Sequence, residues 1–326
     1  LMPSNAMAFY QHGLALVRLE RENDAIQVLD QSIALSPRYA PAQYQRGLAL
    51  NSLGRYRESL ESFDGALAAD PQLADAALHK AIALASLGRP AEALAAADTA
   101  IAIRPDLSGA WHRKGTALAE LDRLPEALAA FDRTIEIDPA NARTHFERGL
   151  VLAKLGRHLE AIQAFDQALS MIPNYVPAFY NKGLALMAVG MHEEAVMAFN
   201  IALEILPDDP AVLYQKGLSL MRLESFEDAI RAFDAALAID SQKTEYPYQK
   251  GLALAALGRH AEAEGAFSAS LARDPDNQDA LYHKGLSLAE LGRFTEAIGD
   301  LTKTLEKNPK IANAWLILGF CLFAVE

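Results

Sequence analysis

A single cysteine, Cys321, stands in a chain of 326 residues. It has no partner for an internal disulfide, and thiol scarcity of this kind suits a reducing, cytoplasmic setting. Basic residues are in deficit: 30 lysines and arginines face 42 aspartates and glutamates, for a formal net charge of −12. That balance lacks the positive footprint of a nucleic-acid binder, so no nucleic-acid partner is expected. No uninterrupted apolar run reaches the roughly 18 residues of a membrane span. Yet 51% of the residues are apolar, and this material must be buried. One compact core rarely serves a chain longer than roughly 250–300 residues, so the chain is built of domains or of modules.

Catalytic and cofactor motifs are also missing. The segment His192-Glu193-Glu194-Ala195-Val196 opens like a zinc-protease helix but carries Val196 where the second histidine must stand. The recurring Lys-Gly-Leu triplet, as at Lys182-Gly183-Leu184, follows helical residues rather than a strand, so it is no phosphate loop. The chain reads as non-enzymatic, with no cofactor and no metal.

What is present is a period. Every 34 residues from Gly13 a small residue recurs, at Gly47, Ala81, Gly115, Gly149, Gly183, Gly217, Gly251, Gly285 and Gly319. In phase with it run a proline column (Pro3, Pro37, Pro71 and onward, with Ser241 the exception) and a small column (Ala25, Ser59, Ala93 and onward). A bulky column completes the set: Leu29, Phe63, Ala97, Phe131, Phe165, Phe199, Phe233, Phe267 and Leu301. Four columns in phase without an insertion mark a repeat array.

Within a unit the spacing is helical. Tyr44, Gly47, Leu48 and Leu50 to Leu53 carry apolar residues three and four apart, up to Gly54. A glycine there, and at 88, 156, 190, 258 and 292, suits the left-handed residue that closes a helix. Apolar spacing resumes through Leu60, Phe63, Ala66 and Leu67 and stops before Pro71. Each unit is therefore two antiparallel helices, and the small residues let their backbones approach. Arginines after the first helix (Arg21, Arg55, Arg89, Arg123, Arg157, Arg259, Arg293) and acids opening the second (Asp24, Glu58, Glu92 and onward) both suit the helix dipoles. His158, His192 and His260 share one column; whole repeats separate them, too far apart for one metal, and they are expected in turns. Cys321 takes a place held elsewhere by Ala or Ser and is expected to pack rather than react.

Glycine, small, aromatic, small and proline at fixed places in a 34-residue helical hairpin resemble the tetratricopeptide repeat. The resemblance implies an all-α, right-handed superhelical solenoid of stacked helix-turn-helix repeats. It divides the chain into 1–5, the tail of an upstream repeat; 6–311, nine consecutive repeats; and 312–326, the first helix of a tenth. A chain in register at both ends reads as part of a longer array. The last helix, with Trp315, Leu316, Phe320, Leu322 and Phe323, is apolar nearly all round and is expected to stack either on further repeats or on a neighbouring chain, the latter an end-to-end self-association through Ala312–Glu326.

The resemblance also implies that first helices line a concave groove holding a peptide or protein segment, with no catalysis. That inner face would carry Tyr10, Tyr44, Phe146, Tyr180, Tyr214, Tyr248 and Tyr282, with Gln45, Arg113, Asn181, Gln215 and Gln249 beside them and Met187 and Met221 a turn or two later. Tyrosine offers a rigid apolar body with a polar tip, glutamine can pair with peptide backbone, and methionine adapts. The rival reading has the tyrosines wedge neighbouring helices together and the methionines fill core. A carboxylate clamp for chaperone C-termini is not expected, because Tyr44, Leu48 and His79 hold clamp-like places ahead of Arg113; nor is an asparagine ladder for sugar transfer, since that column has only Asn181. Two further roles stay open, a substrate-recruiting or regulatory arm of a larger enzyme and a self-associating array.

One more column departs from the family: His12, Arg46, Lys80, Lys114, Arg148, Lys182, Lys216, Lys250 and Lys284 stand just before the small residue. Acids on the second helices (Asp30, Asp64, Asp98, Asp132, Asp166, Asp234) are expected to pair with them inside the solenoid. One unit is expected to be irregular over 241–265, where Ser241 replaces proline, Pro247 enters a first helix and Glu264-Gly265 interrupts an apolar stretch.

Overall fold

The computed structural model describes residues 3–326, and Leu1 and Met2, assigned above to an upstream repeat, lie outside the described residues. The described residues form helices and turns, with no strand among them. The chain divides into two units, Leu1–Met171 and Ile172–Glu326. The first holds α1 (Pro3–Arg18), α2 (Glu22–Leu35), α3 (Ala40–Ser52), α4 (Tyr56–Ala69), α5 (Ala74–Ser86), α6 (Pro90–Ile103), α7 (Ser108–Glu120), α8 (Leu124–Ile137), α9 (Ala142–Lys154) and α10 (His158–Met171). The second holds α11 (Val176–Ala188), α12 (His192–Ile205), α13 (Pro210–Arg222), α14 (Phe226–Ile239), α15 (Glu245–Ala256), α16 (His260–Leu271), α17 (Gln278–Glu290), α18 (Phe294–Lys307) and α19 (Ala312–Val325).

The turn inside each hairpin follows from one residue. Gly54 takes φ +71°, and this left-handed step lets its own N–H reach the Asn51 carbonyl at 3.0 Å and the Arg55 N–H reach the Leu50 carbonyl at 2.9 Å. Two otherwise orphaned carbonyls of α3 are thereby satisfied. The same closure recurs in the turns at Gly88, Gly156, Gly190, Gly258 and Gly292. Beyond the turn the arginines meet the acids directly: Arg55 grips Glu58 at 2.5 and 2.7 Å, and Arg89, Arg123, Arg157, Arg259 and Arg293 do likewise with the acid three residues on. The two columns thus stabilise the turn as pairs, beyond their separate effects on the helix dipoles. His158, His192 and His260 are each the first residue of a second helix.

The glycine and phenylalanine columns close each hairpin. A Cβ on Gly47 would lie 2.5 Å from Cε1 of Phe63, and the equivalent Cβ would lie 2.4–2.5 Å from phenylalanine at Gly115, Gly149, Gly183, Gly217 and Gly251. Phe63, Phe131, Phe165, Phe199, Phe233 and Phe267 are fully enclosed as a result. Each contributes roughly 2–3 kcal/mol of burial. The third hairpin, α5–α6, shows the complementary choice: Ala97 stands in the phenylalanine column, Ala81 stands in the glycine column, and both are fully buried.

Among the described residues, helices touch only near neighbours in sequence. Within each unit, each first helix packs on its own second helix, and each second helix packs on the first helix that follows. In addition α1, α3, α5, α7 and α9 touch one another in succession in the first unit, as do α11, α13, α15, α17 and α19 in the second. Within each unit, second helices do not meet second helices within 8 Å between Cα atoms. Each unit is therefore narrower on its first-helix side, which makes that side the inner one.

The expected irregularity is present and small. α15 begins at Glu245, one residue late, because Thr244 stays in αR geometry (ψ −26°) where other first helices have an N-cap with ψ near 90°. Pro247 sits in the first turn, where its missing N–H costs nothing. α16 ends at Leu271, two residues early by the register of its neighbours. In the last helix, Ala314, Leu318 and Cys321 are buried, the thiol as a small packing group, while Leu316 and Phe323 are 70% and 81% exposed.

Candidate functional site

The aromatic column is anchored before it is available to anything else. Tyr44, Phe146, Tyr180, Tyr214 and Tyr248 each place a ring 5.9–6.2 Å from the buried phenylalanine of the same hairpin, tilted by about 50°. One side of each ring is held and the other remains partly exposed. Tyr10 meets Tyr39 edge-on at 5.3 Å, and Tyr282 meets His283 at 5.1 Å. All seven aromatics are half-buried, as are Gln45, Arg113, Asn181, Gln215, Gln249, Met187 and Met221. The wedge and the contact surface are thus two sides of one ring.

The tyrosine tips point toward acids of the following repeat. Burial and the Asp75 carboxylate push the Tyr44 hydroxyl up to about 12; burial and Asp279 do the same for Tyr248, also to about 12. Tyr180 and Tyr214 are raised by burial first and then by Asp209 and Glu245. These hydroxyls keep their protons and act as neutral donors and acceptors. Gln249 hydrogen-bonds the Tyr214 hydroxyl, and Asn181 Nδ2 donates to the Pro177 carbonyl at 2.8 Å, so part of the polar column is spent on the fold itself.

In the first unit the column changes character. His112 takes the tyrosine place, is nearly fully enclosed, and sits 5.8 Å from the Phe131 ring. Its Nδ1 lies 2.9 Å from Thr144 Oγ1 and its Nε2 lies 3.5 Å from Glu147 Oε2. Facing a carboxylate, Nε2 carries the proton and Nδ1 accepts from the threonine hydroxyl. Burial, with the Arg113 and Arg143 guanidiniums, holds the imidazole down at about 4, so it stays neutral beside Glu147. Burial raises the Glu147 carboxyl, while Arg143 Nε, at 2.8 Å, pulls the other way. Arg113 is itself lowered by burial and by Arg143. The sequence places His112 and Glu147 in separate columns; their meeting across α7 and α9 has no signal in either.

The basic column is largely neutralised from within, as expected. Arg46–Asp30, Lys80–Asp64, Arg148–Asp132 and Lys250–Asp234 are 2.6 Å apart and Lys114–Asp98 is 2.8 Å apart. Lys284, which has Ser268 in the aspartate place, reaches Asp300 at 3.3 Å instead. Among the described residues, no group of three or more histidine, cysteine, aspartate or glutamate side chains is placed to hold a metal. No helix among them is long and apolar enough to cross a membrane.

Comparison with known proteins follows the same register. A family model described as tetratricopeptide repeat matches residues 10–74, 44–108, 112–176, 180–244, 248–303 and 287–324. Among solved structures, YrrB, described as a TPR protein with an unusual peptide-binding site, is 26% identical with a TM-score of 0.53, over 58% of this chain and 97% of that one. The C-terminal part of a TPR repeat-containing protein from Cytophaga hutchinsonii is similar at 16% identity and a TM-score of 0.64, over 74% of this chain and 98% of that one. A tetratricopeptide repeat protein from Parabacteroides merdae matches at 16% identity and a TM-score of 0.56, over 77% and 99%. At such identity the last two show the fold alone. A search of curated proteins gave no match.

Proposed function

The chain belongs to the tetratricopeptide repeat family, whose arrays are protein–protein interaction scaffolds, and from that premise we propose that it acts without catalysis by holding a peptide or protein segment on its first-helix side. The observation that carries the reading is the pairing of rigidity with exposure there. The rings of Tyr44, Phe146, Tyr180, Tyr214 and Tyr248 are each fixed on one side by a buried phenylalanine and left partly open on the other, on the face where first helices draw together. Fixed aromatic surface binds with little loss of side-chain freedom, and half-buried Gln215 offers an amide to a backbone. YrrB, similar over more than half of this chain, is described as having a peptide-binding site. The single buried thiol accords with a reducing, cytoplasmic setting.

The test uses Tyr180 and Tyr214, both in the second unit. Affinity capture with the whole chain identifies a bound segment, and a synthetic peptide of that segment is then titrated against the chain and a Tyr180→Ala, Tyr214→Ala variant. A loss of at least about tenfold in affinity is expected for truncating two aromatic anchors. Equal affinity would move the site off this face. A second reading, self-association, is favoured by one observation, the apolar stripe left open on α19, and is tested separately below.

A further inference from the structure

The lysine column contains its own record of what it binds. At five places in the array an aspartate sixteen residues earlier supplies a carboxylate to the lysine or arginine, at 2.6–2.8 Å. At Lys216 that aspartate is replaced by Asn200. Among the described residues, Lys216 has no carboxylate oxygen within 4.0 Å.

A second departure falls in the same hairpin. Ser225 stands where Arg55, Arg89, Arg123, Arg259 and Arg293 bind the acid three residues on. Asp228, left without that arginine, pairs instead with Arg231 one turn along α14. The pairing holds a guanidinium at a position where the other repeats have no base: Gln27, Glu61, Ala95, Ala129, Gln163, Met197, Gly265 and Gly299. Lys216 and Arg231 line one cleft between α12, α13 and α14 together with Asn200, Asp228, Val196, Leu213 and Leu220. Its volume is about 420 Å³, against about 210 and 320 Å³ for the corresponding clefts at Lys80 and Lys250, where the internal aspartate is present. Burial first, and the Arg231 charge second, push the Lys216 ammonium below its ordinary range, as expected of a cation lacking its counter-charge.

We propose that the cleft at Lys216, Arg231 and Asn200 is a carboxylate-binding site that takes an aspartate or glutamate side chain of a partner segment in the place filled elsewhere by the chain's own aspartate. Lys216 Nζ supplies the point charge, Arg231 a planar fork and Asn200 a neutral amide donor. A carboxylate suits the site better than a phosphate because Asp228, which also lines the cleft and pairs with Arg231, opposes a second negative charge. The site is independent of the aromatic face: Lys216 lies two residues from Tyr214 on α13, about 200° around the helix.

Sodium acetate, titrated into the whole chain against sodium chloride at constant ionic strength, tests the proposal, with the Lys216 side-chain methylene resonances as the readout. A saturable shift is expected at Lys216 and none at Lys250, whose aspartate is in place. Asn200→Asp, which restores the internal carboxylate, should weaken the acetate response by about tenfold or more, and Arg231→Gln by about tenfold, the loss of one charge-assisted contact. Thermal melts of both variants confirm that the fold is retained, and Tyr214→Ala should leave the response unchanged. A response that does not saturate, that survives in Asn200→Asp, or that falls with Tyr214→Ala would overturn the proposal. Tighter binding of inorganic phosphate than of acetate at the same resonance would overturn the choice of carboxylate.

Discussion

Glu20, Asp122 and Glu224 hold φ of 56°, 58° and 56° at the place where six other hairpin turns put glycine. A side chain with a Cβ pays for that geometry, and the space around the corresponding glycines is open, so nothing is gained in return. Asp122→Gly and Glu224→Gly should each raise stability by about 0.5–1 kcal/mol, and Gly156→Asp should lower it by a similar amount, as read from urea unfolding. His112 makes the largest histidine contribution to the pH dependence, in the same direction as His79 and His283, which burial also lowers. The unfolded chain takes up its proton near pH 6.5, the folded chain only near 4, so stability falls as pH drops across that window. The full shift corresponds to about 3 kcal/mol, which the raised Glu147 carboxyl partly offsets, since the fold takes up that proton more readily than the unfolded chain. His112→Gln should therefore flatten the stability profile between pH 6.5 and 4, and an unchanged slope would assign acid sensitivity to other groups. Neither the proton position on His112 nor its partner Glu147 is legible in the sequence, because the contact joins residues of different periodic columns in neighbouring repeats.

At the scale of the helix pair, size is exchanged between two positions. Gly217 admits the Phe233 ring, and Ala81 with Ala97 shows the alternative filling in the same chain. Gly217→Ala should cost about 1–3 kcal/mol by overpacking, and Phe233→Ala about 3–5 kcal/mol by leaving a cavity. The double variant approaches the natural Ala81–Ala97 pair and should cost no more than Phe233→Ala alone. A double-mutant cycle on denaturant melts measures this, and simple additivity would show that the two columns are not coupled. This exchange explains why the hairpins were readable from sequence: the period, the six turn glycines and the bulky column each report a local steric requirement that recurs from repeat to repeat. The boundaries slip at Thr244 and Leu271 around Pro247, where local chemistry breaks the register, and at α1, which starts at Pro3, three residues before the register position Ala6. The candidate groove was legible to the same depth, as columns. The column pattern alone gave no sign that each ring is half anchored, or that Asn181 and Gln249 spend donors or acceptors on the fold.

At the scale of the whole molecule, the first helices inside each unit, α19 aside, are buried under their own second helix and the helices of the neighbouring hairpin. α19 is covered along Ala314, Leu318 and Cys321 by the preceding hairpin, while Leu316, Phe320 and Phe323 form a stripe spaced by four and three on another face. Phe320 touches the Phe294 ring edge-on at 5.7 Å yet remains 56% exposed. A stripe with helical spacing is what a neighbouring helix would cover, and the same stripe on a second copy is of matching length and character. Light scattering of the whole chain should show a mass that rises with concentration, and Phe320→Ser, Phe323→Ser should return it to the monomer without lowering helix content, since neither side chain is buried. The association should also strengthen in sulfate and weaken little in sodium chloride, because apolar burial rather than charge drives it. A mass that stays monomeric at all concentrations, or one that is equally high in the serine variant, would leave the α19 stripe with no role in joining copies.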